Sequence, residues 1–385
     1  MMTETAHETS HRLLEFCRRE QQAMLAMLRR LVEMESPSDS KREVDVVGEC
    51  LAQEFQRLGG QVKFHPQTKY GNHLQVEFSG ASSGKPVLLL GHFDTVWSLG
   101  TLAGMPFRVE GGKVFGPGVY DMKAGIVMMM FALQALRGLG TPRRPVTIFL
   151  DTDEEVGSES SRPITESIAR GCEAVLVLEP SQGPGYLKTS RKGVGDYTLR
   201  VHGVASHAGV DFEKGHSAIV ELARQILEVT AFTDLSQGTT VNPGVMQGGT
   251  RTNVVAAEAW AEVDIRVSRM SEAGVLERKF AGLHPHDPQC RIEVTGELNR
   301  PPMERTEGTV RLFQAAQKIA GGMNIELGES STGGGSDGNF TSALGIPTLD
   351  GLGAVGEGAH AANESIVLEH LPQRTAILAG LIASI

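Results

Sequence analysis

The chain has 385 residues, 40% hydrophobic and 21% charged, an ordinary balance for a soluble globular protein with room for two domains. Its 36 lysines and arginines against 46 acidic residues leave a formal charge of −10, which disfavours phosphate backbones and provides no basic stripe, so nucleic acid is excluded as a partner. The stretch from Met1 to Arg12 has neither a basic start followed by an apolar segment nor a small-residue cleavage site, so the expectation is a cytoplasmic protein without a membrane association.

In chain order, residues 13–32 place Leu14, Leu25, Leu28 and Leu31 at helical spacing, and 40–58 repeats the pattern after Ser36-Pro37-Ser38, a turn and N-cap region. Two helices therefore precede the sheet. Strand-like pieces at 62–64 and 74–78 lead through Gly80-Ala81-Ser82-Ser83-Gly84 into a buried strand at 87–90. Residues 124–139, rich in Met, Leu and Ala without a breaker, predict a helix packed on the sheet. Its Met128-Met129-Met130 run reads as core filling rather than a copper box. Further strands end at Leu150 and Leu178. From Gly193 the order becomes strand (196–201), helix (216–229), strand (239–246), alternating strand (254–267), helix (271–283) and strand (291–295), the β-α-β-β-α-β split motif of ferredoxin-like domains. A helix at 308–320, a glycine-rich loop at 333–338, a strand near 346–349 and a last helix from Leu371 complete the chain. The expected fold is α/β: a mixed, mostly parallel sheet flanked by helices, built from residues 1–190 and 302–385 and interrupted by a ferredoxin-like domain at 191–301. Cys17, Cys50, Cys172 and Cys290 are scattered without a CxxC pair and read as reduced packing residues.

Four apolar runs lead to an acidic residue or a histidine: 87–90 into Gly91-His92-Phe93-Asp94, 147–150 into Asp151-Thr152-Asp153-Glu154-Glu155, 174–178 into Glu179, and 347–349 shortly before His360. Ligands of open α/β sheets collect beyond the carboxyl ends of such strands. Histidine and carboxylates without thiolates form the donor set of zinc or a similar divalent ion at a hydrolytic site. His92 and Asp94 stand two apart, which makes His92 the ligand and Asp94 the carboxylate that receives its other ring N–H. Asp121, after the Gly116-Pro117-Gly118 turn, is expected to open a helix, where the dipole favours a carboxylate, and to bridge two ions. Of the neighbours Glu154 and Glu155, one can bind metal while the other contacts the attacking water. Singly, each residue could be a surface histidine, a helix cap or a solvated loop; their joint placement at successive strand ends favours a metal site. His7, His11, His65, His73, His284, His286 and His370 have no convergent acidic partners in sequence and read as surface or packing residues.

The runs 91–96 (GHFDTV), 116–123 (GPGVYDMK), 153–158 (DEEVGS) and 203–209 (GVASHAG) resemble the M20 family of dinuclear zinc peptidases and deacylases, most closely its glutamate carboxypeptidase (carboxypeptidase G2) group. The resemblance covers nearly the whole chain and implies a zinc exopeptidase-like catalytic domain with an inserted lid and dimerisation domain, hence a homodimer. It implies that His92 and Glu179 hold one Zn2+, Glu155 and His360 a second, with Asp121 bridging, Glu154 as general base and Asp94 orienting His92. Cobalt or manganese could replace zinc on such donors. It further implies that His207 polarises the scissile carbonyl, and that Asn253 and Arg300 hold a substrate carboxylate, for which a guanidinium fork is suited. Arg266 is a further candidate, with a structural salt bridge as its alternative. Gly335, in the glycine-rich stretch 333–337, is expected to form part of a backbone wall near the substrate, its glycines permitting close approach. Ala124 departs from the glycine common in the family, which a negative φ would tolerate.

The implied reaction is hydrolysis of an amide next to a free carboxylate, releasing a C-terminal amino acid, glutamate foremost, from a small peptide or N-acyl amino acid. The alternatives are an N-acyl-amino-acid deacylase of the aminoacylase or acetylornithine deacetylase type and, in another class, a non-catalytic binding protein on the same scaffold.

Overall fold

A computed structural model describes residues 2–81 and 84–385; Met1, and Ser82 and Ser83 of the connection expected at 80–84, lie outside the described residues. Three helices precede the sheet, not two, because the backbone of Glu20 (φ −87°, ψ 1°) leaves the helical region. They are α1 (Met2–Arg19), α2 (Gln21–Val32) and α3 (Lys41–Arg57). Both sides of the break keep the same apolar stripe, so the spacing carries no sign of it. Ser40 occupies the N-cap of α3 but turns its hydroxyl to Glu43, and Ser38 is engaged elsewhere.

The chain continues through β1 (Gln61–His65), β2 (His73–Phe78), β3 (Val87–His92), β4 (Arg108–Glu110), β5 (Lys113–Phe115), α4 (Ala124–Gly138), β6 (Val146–Asp151), α5 (Arg162–Ala169), β7 (Ala174–Val177) and β8 (Leu187–Arg191). Every residue of β3, β6 and β7 is buried, as expected of strands covered on both faces. Leu89, Ile148 and Leu176 join the larger core on one face; Leu88, Leu90, Phe149, Val175 and Val177 form a second core on the other. Met128, Met129 and Met130 lie inside the larger core. The segment Val119–Gly138 is the one span among the described residues long and apolar enough to cross a membrane, and most of it is buried within the protein.

The next elements are β9 (Gly193–His202), α6 (Ala218–Thr230), β10 (Thr240–Gly248), β11 (Glu258–Val267), α7 (Met270–Ala281) and β12 (Arg291–Arg300). Their antiparallel sheet has the order β10-β11-β9-β12, the ferredoxin-like arrangement. One face packs a separate core in which Tyr197 stacks on Phe280 with ring centroids 3.9 Å apart.

After α8 (Glu307–Gly321), β13 (Glu329–Thr332) pairs with β8, and α9 (Gly338–Ala343), β14 (Thr348–Leu349), β15 (Gly356–Glu357), β16 (Ser365–Val367) and α10 (His370–Ser384) follow. The principal sheet runs β1-β2-β6-β3-β7-β14; β6, β3, β7 and β14 are parallel, whereas β1 and β2 are antiparallel additions at one edge. A second small sheet, β15-β16-β5-β4, joins short strands more than two hundred residues apart in sequence. The chain divides into two compact units: Met1–Ser190, Arg305–Ser331 and Ser336–Ile385 form the larger, Arg191–Glu304 and Thr332–Gly335 the smaller. The glycine-rich stretch expected as one loop is thus divided, its first part in the smaller unit and Ser336 onward in the larger.

Candidate metal centre

β3 ends on His92, whose ring is 1% exposed. Its Nδ1 lies 3.3 Å from Asp94 Oδ1 and 3.1 Å from the Asp94 carbonyl, which turns Nε2 the other way, 3.3 Å from Asp121 Oδ1 and 3.4 Å from Glu179 Oε1. Glu179 follows β7 after Leu178, whose N–H continues the ladder to the Leu90 carbonyl at 3.0 Å. Gly353 donates to the Glu179 carbonyl at 2.9 Å. A Cβ on Gly353 would come within 2.3 Å of the Leu178 carbonyl, so glycine alone permits that close backbone approach.

A second group forms beside the first. His360 Nε2 stands 3.1 Å from Glu155 Oε2 and 3.4 Å from Asp121 Oδ2. The two carboxylate oxygens of Asp121 therefore face different histidines, and the sets His92-Asp121-Glu179 and Asp121-Glu155-His360 each have donor atoms close enough for one cation. His360 does not follow directly from β14. It sits in the turn between β15 and β16 with φ 61°, a conformation uncommon outside glycine and often found where function fixes the backbone.

The local fold around Asp121 differs from the expectation of a helix N-terminus. Asp121 (φ −114°, ψ 96°) and Met122 are non-helical, joined by a cis peptide bond, and the regular helix begins at Ala124. Ala124 has φ −63°, so its methyl group meets the condition set for it. Glu154 and Glu155 share the 3₁₀ turn Glu154–Val156; both are half-buried, and of the two only Glu155 belongs to a cation set.

Four residues given no role of their own in the sequence reading hold this arrangement. Ser38 Oγ donates to Asp94 Oδ2 at 2.6 Å, and the Glu155 N–H reaches the same oxygen at 3.3 Å, so Asp94 ties His92 to the Glu155 turn. Asp153 Oδ2 accepts from both N and Oγ of Ser160 at 2.7 Å, closing the loop that follows the glutamates. The carboxylate of Glu364, fully buried, accepts four hydrogen bonds around Asp121.

Electrostatics point to positive charge at two places. Burial drives the His92 pKa down, but hydrogen bonds to Asp121, Asp94 and Glu179 outweigh it and hold the ring well above its usual value. Bonds to Asp121 and Glu155 lift His360 to about 10. Burial pushes the Asp121 carboxyl up, yet His360 and His92 bring it far below the usual carboxylate range. Behind the centre, Asp151 has both oxygens buried without a hydrogen-bond partner; burial and the negative neighbours Asp337, Asp153 and Asp94 hold its pKa well above the ordinary value, which favours its neutral form.

The remaining candidates belong to the smaller unit. His207 is exposed, and its Nδ1 accepts from the Gly209 N–H at 3.2 Å. Asn253 is exposed and its carbonyl accepts from Ala208, which brings the two motifs together. Arg300 is 7% exposed at the end of β12. Arg266 pairs with Asp264, with Nε 3.0 Å from both carboxylate oxygens and Nη2 2.7 Å from Oδ2, and its Nη1 lies 3.3 Å from the Gly333 carbonyl. Gly335 lies with Arg191 and Arg300; its carbonyl accepts from Arg191, and a Cβ there would meet Arg300 Cδ at 2.8 Å.

Comparison with known proteins places these residues in context. The family described as Peptidase family M20/M25/M40 matches residues 88–384. Carboxypeptidase G2 of Pseudomonas sp. (strain RS-16) is 30% identical over 99% of this chain and 93% of its own length. Succinyl-diaminopimelate desuccinylase of Acidovorax ebreus (strain TPSY) is 30% identical over 74% of this chain and 76% of its own. Among solved structures, aminopeptidase PepT from Bacillus cereus ATCC 10987 superposes with a TM-score of 0.79 at 23% identity, covering 94% of this chain and 98% of that one, a likeness of fold.

Proposed function

Because the chain belongs to peptidase family M20/M25/M40, we propose that it hydrolyses an amide bond next to a free carboxylate, releasing a C-terminal amino acid, glutamate foremost, from a small peptide or an N-acyl amino acid. The supporting observation is Asp121, shared between two histidine–glutamate groups. Imidazole and carboxylate donors in that arrangement fit a pair of divalent ions; zinc is our assignment, with cobalt and manganese as the nearest substitutes. Held by His92, Glu179, Asp121, Glu155 and His360, two zinc ions would supply a Lewis acid and lower the pKa of water.

The other steps fall to the chain. Asp94 fixes the His92 ring from its Nδ1 side, so that Nε2 stays turned to the carboxylates. Glu154 takes a proton from the attacking water and returns it to the leaving nitrogen. On the strength of their motifs, His207 donates to the developing oxyanion, Asn253 and Arg300 receive the substrate carboxylate, and the backbone of Gly335 lines the substrate. Arg300→Ala is expected to raise KM for free-acid substrates roughly 10- to 100-fold, since a hydrogen bond to a charged group contributes about 1.5–3 kcal/mol. Substrates with an amidated C-terminus should be unaffected; equal losses on both would remove Arg300 from recognition.

The decisive test is amine release by the zinc-loaded protein from matched dipeptides and N-acyl amino acids, beside a chelated sample. Chelator-sensitive cleavage favouring C-terminal glutamate supports the carboxypeptidase reading. Preference for short acyl groups supports the deacylase reading, which the similarity to a succinyl-diaminopimelate desuccinylase favours. No turnover with metal bound would support a binding protein. We also propose a homodimer through the smaller unit: β10 is an edge strand, and Val220, Leu227, Val245 and Met246 on α6 and β10 are 44–74% exposed. A monomer in sedimentation equilibrium at micromolar concentration would refute it.

A further inference from the structure

Glu364 brings no ligand atom to either cation set and lies four residues beyond His360, yet its carboxylate is completely buried and surrounded by donors alone. Oε2 accepts from Trp97 Nε1 at 2.7 Å and from the Gly118 N–H at 2.9 Å. Oε1 accepts from the Tyr120 N–H at 2.9 Å and the Asp121 N–H at 3.1 Å. Three of these four donors belong to the backbone that carries Asp121, a segment with no regular helix to fix it. The loop that presents His360 thus grips the loop that presents Asp121, and Trp97, shortly after β3, closes the third side.

We propose that Glu364 is the positioning residue that sets Asp121 between the two histidine–glutamate groups, so that both sites can be filled at once. This rests on the reading of Asp121 as a shared metal ligand. A carboxylate is required because all four partners are donors. A glutamine would oppose its own amide N–H groups to two of them in either orientation. Groups that orient metal ligands from behind typically govern metal affinity by about 10- to 100-fold.

The experiment is zinc content at buffered free zinc for the full-length wild type and Glu364→Gln, together with kcat, KM and the melting temperature of the metal-free proteins. The expected result is two zinc ions per wild-type chain. In Glu364→Gln the site carried by Glu155 and His360, whose histidine is 51% exposed against 1% for His92, should lose affinity about 10- to 100-fold, with kcat falling more than KM rises. If the amide variant does not fold, Glu364→Asp replaces it; its carboxylate, one methylene shorter, is expected to weaken the same site to a smaller degree. Two zinc ions held with wild-type affinity in a folded variant, whatever its melting temperature, would reduce Glu364 to a structural role and leave the proposed function intact. A wild-type chain that binds no zinc would overturn both.

Discussion

Glu154→Gln is expected to lower kcat by about 10²- to 10⁴-fold while zinc content and stability remain those of the wild type. Glu154 and Glu155 share one 3₁₀ turn; Glu155 belongs to a cation set, with Oε2 3.1 Å from His360 Nε2. Their separation is fixed by backbone. Ser158 donates to the Asp153 carbonyl at 2.8 Å and Gly157 to the Glu154 carbonyl at 3.1 Å, and the Asp153 side chain holds Ser160. None of these bonds needs the Glu154 carboxylate, so an isosteric amide should leave the turn and Glu155 where they are. Glutamine can still orient a water molecule but cannot take its proton. Glu155→Gln should behave differently and lose zinc. A near-normal rate in Glu154→Gln would refute the general-base assignment, and loss of zinc from it would make Glu154 a ligand instead.

The strand ends of this centre are legible in sequence for a physical reason. Strands buried on both faces are continuous apolar runs, so the first polar residues beyond them mark the rim where ligands collect. That reasoning reaches His92, Asp94, Glu155 and Glu179 with short extrapolation. The β-α-β-β-α-β order is legible because alternation in β9 and β11, and the helical stripe of α6, persist over ten residues or more. Where the spacing of side chains is uninformative, the reading stops. Glu20 ends a helix without disturbing its stripe, and β4, β5, β15 and β16 are two or three residues long, too short for any periodicity. Glu364 and Ser38 are invisible for another reason: their partners are backbone N–H groups, the Trp97 indole or a distant carboxylate, and backbone donors have no signature in the residue types that carry them. Arg300 and Arg266 look alike in sequence, and nothing in the residue types around Arg266 announces its pairing with Asp264 two positions earlier on the same strand.

Substitution at Asp121 should be the most damaging single change, because one side chain serves both groups. Oδ1 lies 3.3 Å from His92 Nε2 and Oδ2 lies 3.4 Å from His360 Nε2. Asp121→Ala removes an anionic donor from each set and leaves two glutamates, Glu179 and Glu155, each with one histidine. Asp121→Asn keeps the shape but presents an amide N–H₂ to one of the two groups, so it should hold at most one zinc ion tightly. Metal polarisation contributes several kcal/mol to such a reaction, and at about 1.4 kcal/mol per tenfold kcat/KM should fall about a thousandfold or more in either variant. The contrast with Glu154→Gln lies in the metal: turnover is lost in both, but zinc is lost only at Asp121. The contrast with Glu364→Gln is one of degree, since there the carboxylate remains and only its placement suffers. Two tightly bound zinc ions in Asp121→Ala would refute the shared ligand, and with it the coupling of the two half-sites on which the proposed hydrolysis depends.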